Sequence, residues 1–306
     1  MNETSALTIV IPAFNEAESL VVILPSLIET CRQQNWKLIV VNDGSRDTTK
    51  DILKPYQDSG LLKVVHHKLN KGYGAAIKSG ILASDTEYVI TLDADGQHRV
   101  EDVSKLLACL QKNDADMVVG SRQGTKSATV TRGVAKSIIR MLAKILMTVP
   151  IYDINSGMKI YNTALARKYL HLTPDTMAYS DIITLVFINN RHLVLEEPIT
   201  IANRMKGKST IGVQTLFQTV MEIINILVLF NPMKIFLPIS ILTFIITLFW
   251  GIPLILAGRG VSTGTLLGIV STLIFFFLGL ITEQLSQIRR NQKENILDLK
   301  ERDDLF

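Results

Sequence analysis

The chain has 306 residues, 47% apolar and 20% charged, which suffices for one sizeable globular domain with a smaller second element and excludes a disordered chain. Its formal net charge of +4 gives no electrostatic case for a nucleic-acid partner. The two cysteines, Cys31 and Cys109, argue against a disulfide framework and for a reducing, cytosolic compartment.

The amino-terminal half of the chain has the pattern of an α/β protein. Glu3 and the lack of a long apolar run before Pro12 are untypical of a secretory signal, so this domain is expected in the cytosol. From Thr8 to about Ile201, short β-branched runs alternate with helix-length segments, which predicts a mostly parallel sheet with helices packed around it. The predicted strands are Leu7–Ile11, Lys37–Val41, Leu62–His66, Tyr88–Leu92 and Met117–Val119.

Polar and glycine-rich segments follow several of these strands. In open α/β sheets, ligands bind beyond the carboxyl ends of the strands. PAFNE at 12–16 follows the first strand, NDGS at 42–45 follows the second, and NKGYG at 70–74 adds a cation and glycines suited to phosphate or ribose. Each segment alone is more typical of a turn or a helix cap, but together they predict one binding edge.

The strongest local signal is DADGQ at 93–97, directly after the fourth strand. Two carboxylates in this setting, Asp93 and Asp95, can hold a hard divalent cation that bridges diphosphate oxygens. The five histidines of the chain form no evident catalytic arrangement, and His98, beside this motif, is expected to be structural.

The carboxy-terminal third has a membrane pattern, and the cytosolic domain is expected to end near residue 208. Apolar positions recur at helical spacing over 209–232, which predicts an amphipathic helix on a bilayer surface, although a packing helix of the soluble domain is the alternative. Two uncharged runs at 235–258 and 260–282 predict two transmembrane helices within 233–288. Basic residues flank this hairpin, so both termini are expected in the cytosol, with 289–306 as a cytosolic tail of an integral membrane protein.

The combined motifs resemble those of the family 2 glycosyltransferases with a GT-A fold. Within that family the chain is similar to the polyprenyl-phosphate hexosyltransferases, the group that includes dolichyl-phosphate mannose synthase. The matching segments are PAFNE at 12–16, NDGS at 42–45, NKGYGAA at 70–76, DADGQH at 93–98, GSR at 120–122 and NSGMKIY at 155–161. With the hairpin, the resemblance covers nearly the whole chain.

The resemblance implies specific roles for residues at the sheet edge. Asp95 and Gln97 resemble ligands of Mg²⁺ or Mn²⁺, and Asp95, Arg122 and Arg132 are the implied catalytic residues, with Arg122 and Arg132 meeting phosphate groups. The implied substrate-binding residues are Pro12, Phe14, Glu16, Val41, Asp43, Lys71, Gly72, Asp93, Ala94, Arg204 and Lys208.

Two of the basic assignments leave alternatives open. Arg132 is equally well explained as a solvated helix residue, because the residues after it do not match the family spacing. Relatives usually place a lysine on the donor phosphates where this chain has Thr210, and Lys206 or Lys208 can replace it or face the membrane surface.

The implied reaction is inverting transfer of a hexose from UDP-glucose, UDP-N-acetylglucosamine or GDP-mannose to undecaprenyl or dolichyl phosphate. The expected partners are the nucleotide-sugar, the polyisoprenyl phosphate and the lipid bilayer, with homo-oligomers left open. Two alternatives remain at this point: a processive polysaccharide synthase, for which two spans are too few to form a channel, and a non-catalytic nucleotide-binding membrane accessory protein.

Overall fold

The computed structural model describes residues 6–122, 150–154, 156–200, 228 and 232–303. The chain forms two compact units. The first contains a seven-stranded sheet with its helices, and the second contains two long apolar helices.

The first unit is built on one mixed sheet. Its strands are β1 (Leu7–Ala13), β2 (Lys37–Asn42), β3 (Lys63–His66), β4 (Tyr88–Thr91), β5 (Met117–Ser121), β6 (Lys159–Asn162) and β7 (Val194–Pro198). They are ordered β3-β2-β1-β4-β6-β5-β7. Only β6 runs antiparallel among these strands, between β4 and β5. The predicted mostly parallel α/β sheet is confirmed.

Strand β1 lies inside the sheet, between β2 and β4, and its seven residues are all buried. It pairs in parallel with β2 on one side and β4 on the other. A strand covered on both faces reads as a continuous apolar run rather than an alternating one, which is how LTIVIPA reads.

Helices pack against the strands of this sheet. Their bounds are α1 (Ala17–Gln33), α2 (Thr49–Asp58), α3 (Tyr73–Ala83), α4 (Val100–Asn113), α5 (Thr163–Tyr169) and α6 (Tyr179–Asn189). Helix α1 illustrates why they pack: Leu20, Leu24 and Leu27 recur every three or four residues and are buried, forming one apolar stripe.

The second unit contains α7 (Met233–Leu256) and α8 (Thr263–Asp303). Met233–Leu256 and Thr263–Ile288 are long and apolar enough to cross a membrane. Ser240 donates a hydrogen bond from Oγ to the carbonyl of Thr272 across the hairpin, over 3.0 Å. The predicted amphipathic helix at 209–232 lies outside the described residues except at 228 and 232.

Candidate active site

The loops that follow β1, β2 and β4 meet at the carboxyl edge of the sheet. The registers Ala13↔Asn42 and Val10↔Thr91 bring the ends of these strands side by side. Asp43 continues this contact, because its backbone N–H donates to the carbonyl of Ala13 over 2.9 Å. The segments that the sequence predicted to form a binding edge therefore do converge.

The 93–97 motif forms a tight turn directly beyond β4. Gly96 has φ +73°, a conformation that favours glycine. Asp95 Oδ1 accepts a hydrogen bond from the backbone N–H of Gln97 at 3.1 Å. The local hydrogen bond within this turn orients the Asp95 carboxylate.

Asp93 is held by the side chains of Tyr73 and His98. Its Oδ1 accepts a hydrogen bond from the Tyr73 hydroxyl at 2.8 Å, and its Oδ2 lies 3.5 Å from Nε2 of His98. Burial opposes ionisation of Asp93, but the donors from His98 and Tyr73 and the charge of Arg122 outweigh it, so its pKa lies below the usual value. Asp93 is therefore an anion at neutral pH.

Because Gly157 has no side chain, the Asp93 carboxylate can occupy the space next to it. A Cβ atom at this position would lie 2.2 Å from Asp93 Oδ2, so any larger residue must displace the carboxylate. The backbone of 156–158 thus forms one wall of the site.

The donor set of the 93–97 turn fits a hard divalent cation. Asp95 supplies a carboxylate and Gln97 an amide oxygen, which are the ligand types that Mg²⁺ and Mn²⁺ prefer. Among the described residues, no group of three or more His, Cys, Asp or Glu side chains could hold a metal ion. A cation here would therefore need further oxygen ligands from its substrate and from water.

Arg122, just beyond β5, is paired with Asp153. Its Nε lies 2.6 Å from Asp153 Oδ2 and its Nη2 lies 2.7 Å from Oδ1, a bidentate pair. The backbone N–H of Arg122 also donates to Asp153 Oδ2, over 3.1 Å. A guanidinium held through Nε and Nη2 has a fixed plane.

Lys159 lies fully buried on β6 and joins two segments of this wall. Its Nζ donates to the carbonyl of Ile154 at 2.7 Å and to the carbonyl of Ser180. Burial lowers the pKa of Lys159 to about 7, although the charges of Asp181 and Asp153 act in the opposite direction. The buried amine fixes the segment that carries Asp153.

Asp43 holds the loop that leads into α3. Its Oδ1 accepts from the backbone N–H of Lys71 and its Oδ2 from that of Gly72, both at 2.9 Å. Gly72 has φ +101°, and a Cβ atom there would lie 2.4 Å from the carbonyl oxygen of Asp175. The 70–72 loop is thus enclosed between a carboxylate and a carbonyl.

The other predicted substrate-binding residues differ in their exposure. Phe14 is 42% exposed at the same edge, whereas Val41 is fully buried and Ala94 is 4% exposed. Glu16 accepts a hydrogen bond from Ser19 at 2.8 Å. Pro12 is buried and lies beside Val41 in the sheet. Their roles stay predictions.

Several predicted residues lie outside the described residues. They are Arg132, Arg204, Lys206, Lys208 and Thr210.

Sequence reasoning assigned no role to four residues that hold this site together: His67, Tyr73, Asp153 and Lys159. A signal existed for Lys159, because a lysine inside the apolar run at 158–161 requires a buried partner. Asp153 and His67 gave no signal, since their partners lie 31 and 24 residues away along the chain.

The mixed sheet has an Asp-x-Asp turn and an arginine paired with a carboxylate at one edge, and the same chain has a helical hairpin. These features define a glycosyltransferase of the GT-A fold class. The chain belongs to glycosyl transferase family 2, whose pattern matches residues 8–176. Residues 231–288 match the GtrB C-terminal hairpin. The chain is therefore a glycosyltransferase enzyme.

Known relatives agree with this family. The polyprenol monophosphomannose synthase of Mycolicibacterium smegmatis is 31% identical over 217 residues, covering 67% of this chain and 81% of that protein. The dodecaprenyl-phosphate galacturonate synthase of Rhizobium johnstonii is 23% identical over 288 residues, covering 90% of this chain and 85% of that protein.

A solved structure supports the fold. Glucosyl-3-phosphoglycerate synthase from Mycobacterium tuberculosis, in complex with Mn²⁺, uridine diphosphate and phosphoglyceric acid, has a TM-score of 0.56 and 17% identity. The match covers 72% of this chain and 78% of that chain. At this identity the likeness concerns the fold alone.

Proposed function

We propose that this enzyme transfers a hexose from a nucleotide diphosphate sugar to the phosphate of a polyisoprenyl lipid, with inversion at the anomeric carbon. The product is a lipid-phosphate-sugar that serves as a donor for cell-envelope or protein glycosylation. The observation that carries the proposal is the Asp93–Asp95 turn and the clamped Arg122 at one sheet edge of a chain with two candidate membrane spans. The names of the two relatives support a polyprenyl-phosphate acceptor.

Asp95 and Gln97 would hold Mg²⁺ or Mn²⁺, and the fold relative solved in complex with Mn²⁺ and uridine diphosphate supports this assignment. When bound, the cation would supply positive charge to the departing diphosphate. Pro12, Phe14 and Asp43 belong to the donor pocket in this proposal, together with Glu16, Val41, Lys71, Gly72, Asp93 and Ala94.

The transfer needs no general base. A phosphate monoester has a second pKa near 6, so the acceptor is largely a dianion at neutral pH. One of its oxygens forms a bond to the anomeric carbon while the bond from that carbon to the diphosphate oxygen breaks, and the electron pair leaves with the nucleotide diphosphate. No proton is transferred in this step.

The residues of the chain contribute by positioning and by charge. Arg122, held in its plane by Asp153, binds the acceptor phosphate and offsets the repulsion between two anionic reactants. Arg132, Arg204 and Lys208 are proposed as further phosphate contacts. In this proposal the amino-terminal domain and the tail are cytosolic.

The test uses the purified full chain in detergent with a short polyprenyl phosphate. UDP-glucose, UDP-N-acetylglucosamine and GDP-mannose are supplied in turn with Mg²⁺ or Mn²⁺, and released nucleotide diphosphate is measured. We expect release with one donor, only when the lipid phosphate is present, and one sugar per lipid. Donor binding without turnover would favour the accessory protein, and several sugars per lipid would favour a processive synthase.

Asp95→Ala is the matched inactive variant for this assay. Loss of the oxygen ligand should lower turnover by at least about a hundredfold, since electrostatic stabilisation of the leaving group is lost. Asp58→Ala, at an exposed position of α2, should keep wild-type turnover. Both variants should stay in the membrane fraction, and an Asp95→Ala variant with normal turnover would remove the metal from the mechanism.

A further inference from the structure

Asp43 lies at the donor edge, but its carboxylate is turned into the protein. The residue is 3% exposed, and both of its oxygens accept backbone hydrogen bonds from Lys71 and Gly72. An acidic side chain that orders a loop in this way must itself be held in one rotamer. A third contact of the Asp43 carboxylate holds the side chain in that rotamer.

The third contact comes from His67, directly after β3. Its Nδ1 lies 2.6 Å from Asp43 Oδ1, and its Nε2 lies 2.8 Å from the hydroxyl oxygen of Ser79 on α3. The His67 side chain is 5% exposed, so water does not compete for these bonds. The backbone N–H of His67 donates to the carbonyl of Asn42 over 2.9 Å, which places the His67 backbone beside the end of β2.

The loop that Asp43 holds leads directly to the metal motif. Gly72 precedes Tyr73, the first residue of α3, and the Tyr73 hydroxyl donates to Asp93. A change in the 70–72 loop would therefore move a hydrogen-bond donor of Asp93. His67, Asp43, the loop and Asp93 form one continuous chain of contacts.

We propose that His67 is a positioning residue for the nucleotide-sugar, acting through Asp43 on the 70–72 loop and on Asp93. This inference rests on the proposed function for the identity of the ligand. His67 touches no reacting atom. It acts by keeping the donor side of the site in its binding conformation before the donor arrives, which reduces the ordering cost of binding.

The neighbouring His66 is a built-in control. It is the last residue of β3 and is exposed, whereas His67 is turned inward. Successive side chains of an extended segment point in opposite directions, so the pair places one histidine on Asp43 and the other away from it. His66→Ala removes a ring of the same size one residue away.

Two conservative variants separate the two contacts of the ring. The side-chain nitrogen of asparagine can take the place of Nδ1, and that of glutamine can take the place of Nε2. His67→Asn should therefore keep the donor to Asp43, and His67→Gln should keep only the contact with Ser79.

The experiment measures donor KM and kcat of the full chain in detergent, with the donor that the wild type turns over. Because the hydrogen bond to the charged Asp43 carboxylate is lost, His67→Ala and His67→Gln should raise donor KM by about tenfold or more. We expect kcat within about threefold of wild type. His66→Ala and His67→Asn should stay within about threefold in both constants.

Amide hydrogen exchange of the same variants provides a readout that needs no substrate. Exchange over residues 70–74 should be faster in His67→Ala and His67→Gln than in wild type and His66→Ala. A wild type without transfer would contradict the proposed function, while the exchange still decides the link between His67 and the loop. Unchanged donor KM and unchanged exchange in His67→Ala, or a His67→Asn variant as impaired as His67→Gln, would overturn the inference.

Discussion

The pair between Arg122 and Asp153 fixes the orientation of the arginine that we propose as a phosphate contact. Arg122 side-chain nitrogens contact both oxygens of Asp153, and the Asp153 side chain is 10% exposed. Asp153 is placed in turn by Glu196, whose Oε1 accepts the Asp153 backbone N–H at 2.8 Å. The arginine is thus held by a carboxylate that is itself fixed to β7.

We expect Asp153→Asn to impair the acceptor step. The amide keeps the size of the side chain but cannot accept two charged hydrogen bonds, so the Arg122 plane is no longer fixed. The ratio kcat/KM for the polyprenyl phosphate should fall by about tenfold or more, with donor KM unchanged.

Asp175→Asn is the matched control for that variant. Asp175 pairs with Lys78 at 2.8 Å, but its side chain is 63% exposed, and exposed pairs contribute little. A loss of acceptor kcat/KM that is equal in Asp175→Asn and Asp153→Asn would contradict the role given to Arg122.

Lys159 predicts a pH dependence of stability. Burial lowers its folded-state pKa to about 7, whereas an unfolded lysine titrates near 10.4. Between these values the unfolded chain binds the extra proton, so the contribution of this group to stability rises with pH, by up to about 1.4 kcal/mol per pH unit.

The check is Tm as a function of pH for the wild type and Lys159→Met in detergent. The Tm of the wild type relative to Lys159→Met should rise from pH 7 to pH 9, because methionine carries no titrating group. Parallel Tm profiles would show that Lys159 stays charged in the folded chain, paired with the carboxylates near it.

The sequence predicted the residues that lie at the site, but it did not predict the contacts that hold them in place. Asp93, Asp95, Arg122 and Asp43 follow strands and do lie at the predicted edge. Their partners could not be predicted, because the contact of Arg122 with Asp153 depends on β6 entering the sheet between β4 and β5. That order is a property of the whole sheet and of no local pattern.

At the level of elements, the five predicted strands are confirmed, with ends that differ by two residues at most. Strands β6 and β7 were not predicted. Strand β6 has four residues and contains Lys159, and β7 contains Glu196 and Glu197, so neither has an apolar pattern. Pairing inside the sheet overrides the weak preference of such short segments.

The helical hairpin packs through small residues. A Cβ atom on Gly268 would lie 2.2 Å from Oγ1 of Thr247 in α7, and Thr247 is 7% exposed. Close approach of helices at glycine is the usual means of packing where lipid removes the hydrophobic driving force. Gly268 therefore sets the distance between α7 and α8 at this level.

We expect Gly268→Ala to destabilise the hairpin by about 1–3 kcal/mol, the usual cost of overpacking. Thermal loss of far-UV circular dichroism of the full chain in detergent is the measurement. Gly264→Ala is the matched control, because the nearest atom to its Cβ would be 3.7 Å away. Alanine favours a helix at both positions, so a stable Gly268→Ala would show that the helices do not touch there.

At the scale of the whole molecule, the chain has two candidate membrane spans joined by a short turn, and we propose that its amino-terminal domain and its tail lie on one side of a membrane. The basic residues that flank the hairpin favour the cytosol for that side. The turn at 257–262 would then lie on the opposite side.

Cysteine accessibility tests this topology. The parent variant has Cys31 and Cys109 replaced by alanine. Val261→Cys is then introduced in the turn, where the wild-type valine is 63% exposed. A membrane-impermeant maleimide should label it in intact cells. Ser59→Cys, at an exposed position after α2, should react only after permeabilisation, and the reverse result would invert the proposed orientation.

The antiparallel strand β6 returns the chain to the sheet beside the strand from which it left. The chain leaves the sheet after Ser121 and rejoins it at Lys159, which pairs with Val119 two residues before the exit. The points at which the chain leaves and re-enters the sheet are therefore adjacent, as at the base of a hairpin. The register of β5 and β6 is therefore set by backbone hydrogen bonds between these two strands, and these bonds keep Lys159 in place on the wall of the site.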